Sequence, residues 1–164
     1  MALNTALLAE LKHEATNTRK MLERVPSDNL GWKPHEKSFA IGYLASHIAN
    51  LPTWMGLTLL QDELDFEKTP FKTPQGTSAQ DIVEKFDNNL AEAIKILEET
   101  SDVVLNGLWT MRRGDHIFFT MPKKVCLRNF LFNHIVHHRG QLSVYLRLLD
   151  IPVPGMYGPS ADER

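Results

Sequence analysis

The sequence predicts an all-α fold, a four-helix bundle with a small β-hairpin inserted before the last helix. Three observations carry that reading. Apolar residues recur at alternating three- and four-residue spacings over four long stretches, the pattern of a helix with one buried face. Segments rich in proline and glycine separate those stretches. The 164 residues suit a single domain spanning 1–164, and 43% apolar residues supply one core.

The first helix is expected over residues 3–25, with Leu7, Leu11, Glu14, Thr18, Met21 and Val25 on one stripe and Pro26 ending it. The turn-forming segment "PSDNLGWKPHEKS" follows as a loop. Ser38 is the expected N-cap of a second helix, whose stripe is Ile41, Leu44, Ile48, Leu51 and Met55. Pro52 lies inside that stripe and predicts a kink, because it removes a backbone hydrogen bond. "DFEKTPFKTPQGTS" is a second loop, and its Ser78 caps a third helix carrying Val83, Phe86, Leu90, Ala93 and Leu97. Between Leu105 and Met121, "LWTM" and "HIFFTM" flank "RRGD", which reads as the hairpin. The fourth helix is expected from Lys123 to Asp150, closed by Ile151-Pro152.

Composition removes several classes of function. The formal net charge is -2, and the basic pair Lys123-Lys124 is too short to make a basic face, so nucleic acid is not an expected partner. No stretch reaches the roughly 18 apolar residues of a membrane span. The single cysteine, Cys126, excludes an intrachain disulfide and points to a reducing compartment. With no basic n-region followed by an apolar run near Met1, the expected location is cytoplasmic.

"NHIVHHRGQ", from Asn133 to Gln141, holds three of the seven histidines. The stripe of the fourth helix is Leu127, Leu131, His134, His138, Gln141, Tyr145 and Leu148. Two histidines thus stand where a bundle ordinarily carries leucine. At about 100° per residue, His137 falls about 70° off that stripe, on a flank shared with Phe130 and Val144. A histidine pair at i and i+4 on one helix face can bind one metal ion. The plainer alternative is that each ring only hydrogen-bonds to a carbonyl or carboxylate.

A metal site needs at least a third ligand. His35 lies in a polar loop, His116 in the hairpin, and His13 off the first helix's stripe. His47 borders the apolar face of the second helix. Glu14, on the first stripe, either has a partner at the site or stands in solvent at the bundle's end. Gln141 is one turn beyond His138 and is either a support for it or a substrate contact. Cys126 is expected to be a packing residue.

"TRKMLERVP", "LGWKPHEKS", "LASHIANLP" and "HIVHHRGQLSVYLRLLDIPVPGMYGPSADE" resemble the DinB/YfiT-like family of metalloenzymes. The resemblance runs over nearly the whole chain and is least diagnostic over 100–122. It implies a four-helix bundle in up-down-down-up order. It also implies a metal on three histidines, one from the second helix and an HxxxH pair from the fourth. Those are His47, His134 and His138 here. The family often forms homodimers and is not known to bind DNA. Its assigned activities include thiol-dependent S-transferases, a thiol-dependent isomerase and hydrolases.

Three imidazoles leave a divalent transition metal open positions, the pattern of a catalytic site. Zinc or nickel is expected first and iron next, since imidazole suits all of them. Two chemistries on a small-molecule substrate follow. The ion can activate water for hydrolysis. It can instead hold a low-molecular-weight thiol as thiolate for transfer to an electrophile. Glu14 is the candidate proton acceptor, and Gln141 and Tyr145 are further polar groups for the site. A homodimer is expected, with Phe130, His137 and Val144 as its contact face, and a non-catalytic metal-binding dimer is the alternative to an enzyme.

Overall fold

In the computed structural model, which describes residues 2–69 and 72–163, the chain is mostly helical with one small sheet. Positions 70 and 71 of the second expected loop lie outside the described residues, as does the last residue of the tail. Helix α1 spans Leu3–Leu22 and buries Leu7, Leu11, Thr18 and Met21 from the expected stripe, with Ala15 and Leu22 widening it. It stops short of residue 25, yet Val25 stays buried in the turn that follows.

Helix α2 spans Ile41–Asn50, and Ser38 does not cap it. The loop performs that task with its backbone: the amides of Ile41 and Gly42 donate to the carbonyls of Trp32 and Leu30, both at 2.9 Å. Those are two of the amides a helix start leaves without an internal partner. The approach is close enough that a Cβ on Gly42 would meet Leu30 Cβ at 2.8 Å. Pro52 sits in a tight turn at Leu51–Thr53, after which helix α3 (Trp54–Leu59) continues. Thr53 Oγ1 donates to the Asn50 carbonyl at 2.8 Å at this break.

Strand β1 (Glu63–Asp65) was not expected from the sequence, and at three residues it is too short to show alternation. Helix α4 (Ala79–Glu99) starts as expected, with Ser78 Oγ accepting from the Asp81 amide at 3.1 Å. A short helix α5 (Asp102–Asn106) leads into β2 (Leu108–Arg113) and β3 (His116–Pro122). These two pair antiparallel, and β1 adds to β2 in parallel, giving the order β1-β2-β3. Trp109 anchors the sheet on the helices, with its indole N–H donating to the Leu57 carbonyl at 2.9 Å.

The expected fourth helix is interrupted. Helix α6 (Lys123–Leu127) passes into a wide turn at Arg128–Phe132, and α7 runs over Asn133–Leu148. In the wide turn the Asn133 amide bonds to the Arg128 carbonyl, five residues back instead of four. One extra residue per turn rotates everything after it by about 100°. The buried row is therefore Leu127, Leu131, Ile135, His138 with Arg139, Leu142 and Leu146. Gln141 and Leu148 are exposed, and Tyr145 is half-buried, where an unbroken helix would have placed all three inside. Helices α1, α2, α4 and α7 pack on one another and carry the core that flanks the histidines. Among the described residues, no helix is long and apolar enough to cross a membrane.

Candidate metal centre

Helix α2 and helix α7 face each other, and the histidines meet between them. His47 Nε2 lies 3.4 Å from His134 Nε2. The His138 ring is 4.6 Å, centre to centre, from both His47 and His134. One donor nitrogen from each ring falls within 4.8 Å of the others. The i, i+4 spacing puts His134 and His138 one turn apart, and the wide turn moves them from the middle of the core to its α2 edge. His138 is buried and the other two are half-buried.

Two of the three rings are also hydrogen-bonded to a group outside the set. His138 Nδ1 and Gln141 Oε1 are 2.8 Å apart, so the amide oxygen accepts the Nδ1–H and leaves Nε2 with its lone pair. A backbone carbonyl, that of Phe130, hydrogen-bonds the His134 ring. Burial holds all three rings below the ordinary imidazole range, and repulsion among neighbouring histidines adds to it. His47 is the most affected, lowered to about 4 by burial first and then by His138 and His134. The Gln141 contact on His138 and the Phe130 carbonyl on His134 work against that lowering. Neutral rings at neutral pH are what a metal requires. Donors on a tetrahedral zinc at 2.0–2.1 Å stand about 3.3 Å apart, close to the His47–His134 separation. The donor set therefore fits a divalent ion.

The remaining expected residues separate from this cluster. Glu14 is neither a free base nor a solvated end residue: its Oε2 pairs with Arg139 Nη2 at 2.6 Å, with both side chains nearly buried. Tyr157, from the C-terminal tail, donates its hydroxyl to the same carboxylate oxygen at 2.8 Å and accepts from Arg139. The sequence stripe missed Arg139 because it did not include the extra residue of the wide turn. Tyr157 lies in a tail with no periodicity, which left no signal for it.

Tyr145 hydrogen-bonds through its hydroxyl to the Phe39 carbonyl at 3.3 Å, one turn past Gln141. Cys126 is buried and its thiol is pushed up to about 11, mainly by burial, as suits a packing residue. His137 is exposed, and its ring is 4.9 Å from that of His138. Phe130 is not free for a partner: it stacks on Trp54 at 5.0 Å and on Phe119 at 5.5 Å, so the strands already cover that end of the flank. Val144 remains exposed. His13, His35 and His116 lie elsewhere, against Tyr157, the Lys37 amide and Phe118 respectively.

Comparison with known proteins identifies relatives of the whole chain and of its fold. The family profile of the DinB family matches residues 1–164. An uncharacterised protein of Bacillus subtilis (strain 168), YrdA, is 29% identical over 159 residues, covering 95% of this chain and 89% of that one. The crystal structure of a DinB-like protein from Bacillus cereus ATCC 10987 superposes with a TM-score of 0.68 at 28% identity, over 89% of this chain and 92% of its own. YjoA, a DinB-like protein from Bacillus subtilis, shares the fold with a TM-score of 0.69 at 16% identity, over 97% and 99% of the two chains.

Proposed function

This chain belongs to the DinB family, and on that premise we propose that it is a metal-dependent enzyme acting on a small molecule. Its helices α1, α2 with α3, α4 and α7 would be the four members of an up-down-down-up bundle. The reading rests above all on one observation, the convergence of one donor nitrogen each from His47, His134 and His138 within 4.8 Å. These three would hold a divalent transition metal, zinc or nickel first and iron next. Such an ion supplies Lewis acidity, lowering the pKa of a water or a thiol that reaches it.

The chain's own groups set the rest. Gln141 fixes the ring plane and tautomer of His138 through the 2.8 Å contact. The half-buried His47 and His134 leave the open side of the cluster towards solvent, where a small substrate or a low-molecular-weight thiol would enter. Hydrolysis and thiol transfer both remain consistent with three neutral imidazoles. The Glu14 carboxylate, held by Arg139 and Tyr157, would not serve as the proton acceptor.

That last observation also favours a second reading, a metal-binding bundle without turnover; on either reading the chain would form a homodimer. Panels of esters, amides and thiol acceptors, assayed with metal restored or removed and with thiol added or omitted, separate the three. Metal-dependent turnover without thiol supports hydrolysis, and turnover only with thiol supports transfer. No turnover in a fully loaded protein supports the second reading.

A further inference from the structure

We propose that Arg139 is a positioning residue for the histidine cluster: its ion pair with Glu14 sets the rotation of α7, and so the approach of His134 and His138 to His47. The placement of two adjacent residues motivates this. His138 turns to α2 while Arg139, about 100° further round the helix, turns to α1. Helix α7 is thus held between two neighbours by consecutive side chains.

The Arg139 contacts are directional. Its side chain is only 4% exposed. Nη1 donates to the Glu14 carbonyl and to Thr18 Oγ1, both at 3.1 Å, and Nη2 donates to Glu14 Oε2 at 2.6 Å and to the Tyr157 hydroxyl. Thr18 Oγ1 itself donates to the Glu14 carbonyl at 2.8 Å, which completes the frame. A planar guanidinium held by a helix and a tail admits little rotation. The neighbouring Ile135, Leu142 and Leu146 contacts are apolar and do not specify an angle.

Two registers compete for this segment. The residues Leu131, His134, His138, Gln141, Tyr145 and Leu148 keep an unbroken helical spacing that an ordinary helix would bury. The wide turn at Arg128–Phe132 selects the other register. Straightening that turn would swing Arg139 by about 100° away from Glu14 and strand two nearly buried charges. The ion pair therefore favours the wide turn, and the wide turn puts the histidines at the α2 edge. The inference uses the metal reading only for its consequence on binding, since the positioning itself concerns the chain alone.

The test compares wild type with Arg139→Met and Arg139→Lys, using two readouts. The first is the structure of the metal-free protein. In Arg139→Met the His47–His134 nitrogens should move from 3.4 Å by more than about 0.5 Å, with the wide turn shifted or lost. The second is Co(II) titration by visible absorption, well below the melting temperature. Affinity should fall at least about tenfold in Arg139→Met and recover partly in Arg139→Lys. If Arg139→Met does not fold, Glu14→Gln keeps the side-chain shape and takes the same measurements. Superposable histidines with unchanged Co(II) affinity, and only a lower melting temperature, would overturn the proposal. If wild type binds no Co(II), the metal reading fails, and the metal-free structures still decide on positioning.

Discussion

His47 and His134 approach within 3.4 Å through their Nε2 atoms, although 87 positions separate them in the chain. Two half-buried rings so close are unfavourable if both are charged, and their buried nitrogens need partners if neutral. Gln141 answers that need for the third ring of the set by accepting from His138 Nδ1. Replacing Gln141 with Leu should weaken metal binding about tenfold while the helix content is kept, as expected for a residue behind a ligand. Gln141→Glu should hold or tighten it. Competition with a chromophoric chelator measures both, and equal affinities for all three proteins would remove Gln141 from the site.

Acid should destabilise the metal-free protein by a route that passes through His47. Its ring is lowered to about 4 in the folded chain, against about 6.5 when unfolded. Between those values the unfolded chain takes a proton that the folded chain refuses, so stability falls with pH across that window. Above it the ring is neutral in both states and the effect is absent. Thermal melts in chelator from pH 7 to 4.5 should show a falling melting temperature, with a smaller fall in His47→Gln. Parallel curves for the two would contradict the assignment.

Glu14→Leu should destabilise the fold. The change leaves the Arg139 guanidinium, with a side chain only 4% exposed, without its carboxylate. Breaking a buried pair on one side costs about 3 kcal/mol or more. At roughly 2–4 °C per kcal/mol for a chain of this size, the melting temperature should drop by about 10 °C. Calorimetry reads it directly, and an unchanged or higher value would show that Glu14 is not held as described.

His137→Ala should keep its metal. The ring is exposed and does not belong to the set of converging nitrogens. Loss of metal with an unchanged circular dichroism spectrum would mean that α7 is rotated from the position described.

Much of this was legible in the sequence. The spacing of Leu7, Leu11, Thr18 and Met21 gave α1, and Ser78 gave the start of α4, because local periodicity and side-chain capping are written in neighbouring residues. The i, i+4 spacing points to His134 and His138, and the family resemblance to His47. What escaped depends on distant backbone. The start of α2 is satisfied by the carbonyls of Leu30 and Trp32, which Ser38 concealed by being the conventional cap. Strand β1 exists only by pairing with β2. The wide turn at Arg128–Phe132 has no side-chain signature, so the burial of Arg139 and the exposure of Gln141 were out of reach, and with them the true partner of Glu14.

The most direct measurement is elemental analysis of protein purified without a metal-affinity column, alongside the double variant His134→Ala, His138→Ala. The three converging imidazoles predict about one equivalent of a divalent transition metal per wild-type chain and almost none in the folded double variant. Equal metal content in the two proteins, or a wild type that neither carries nor takes up such an ion, would contradict the account.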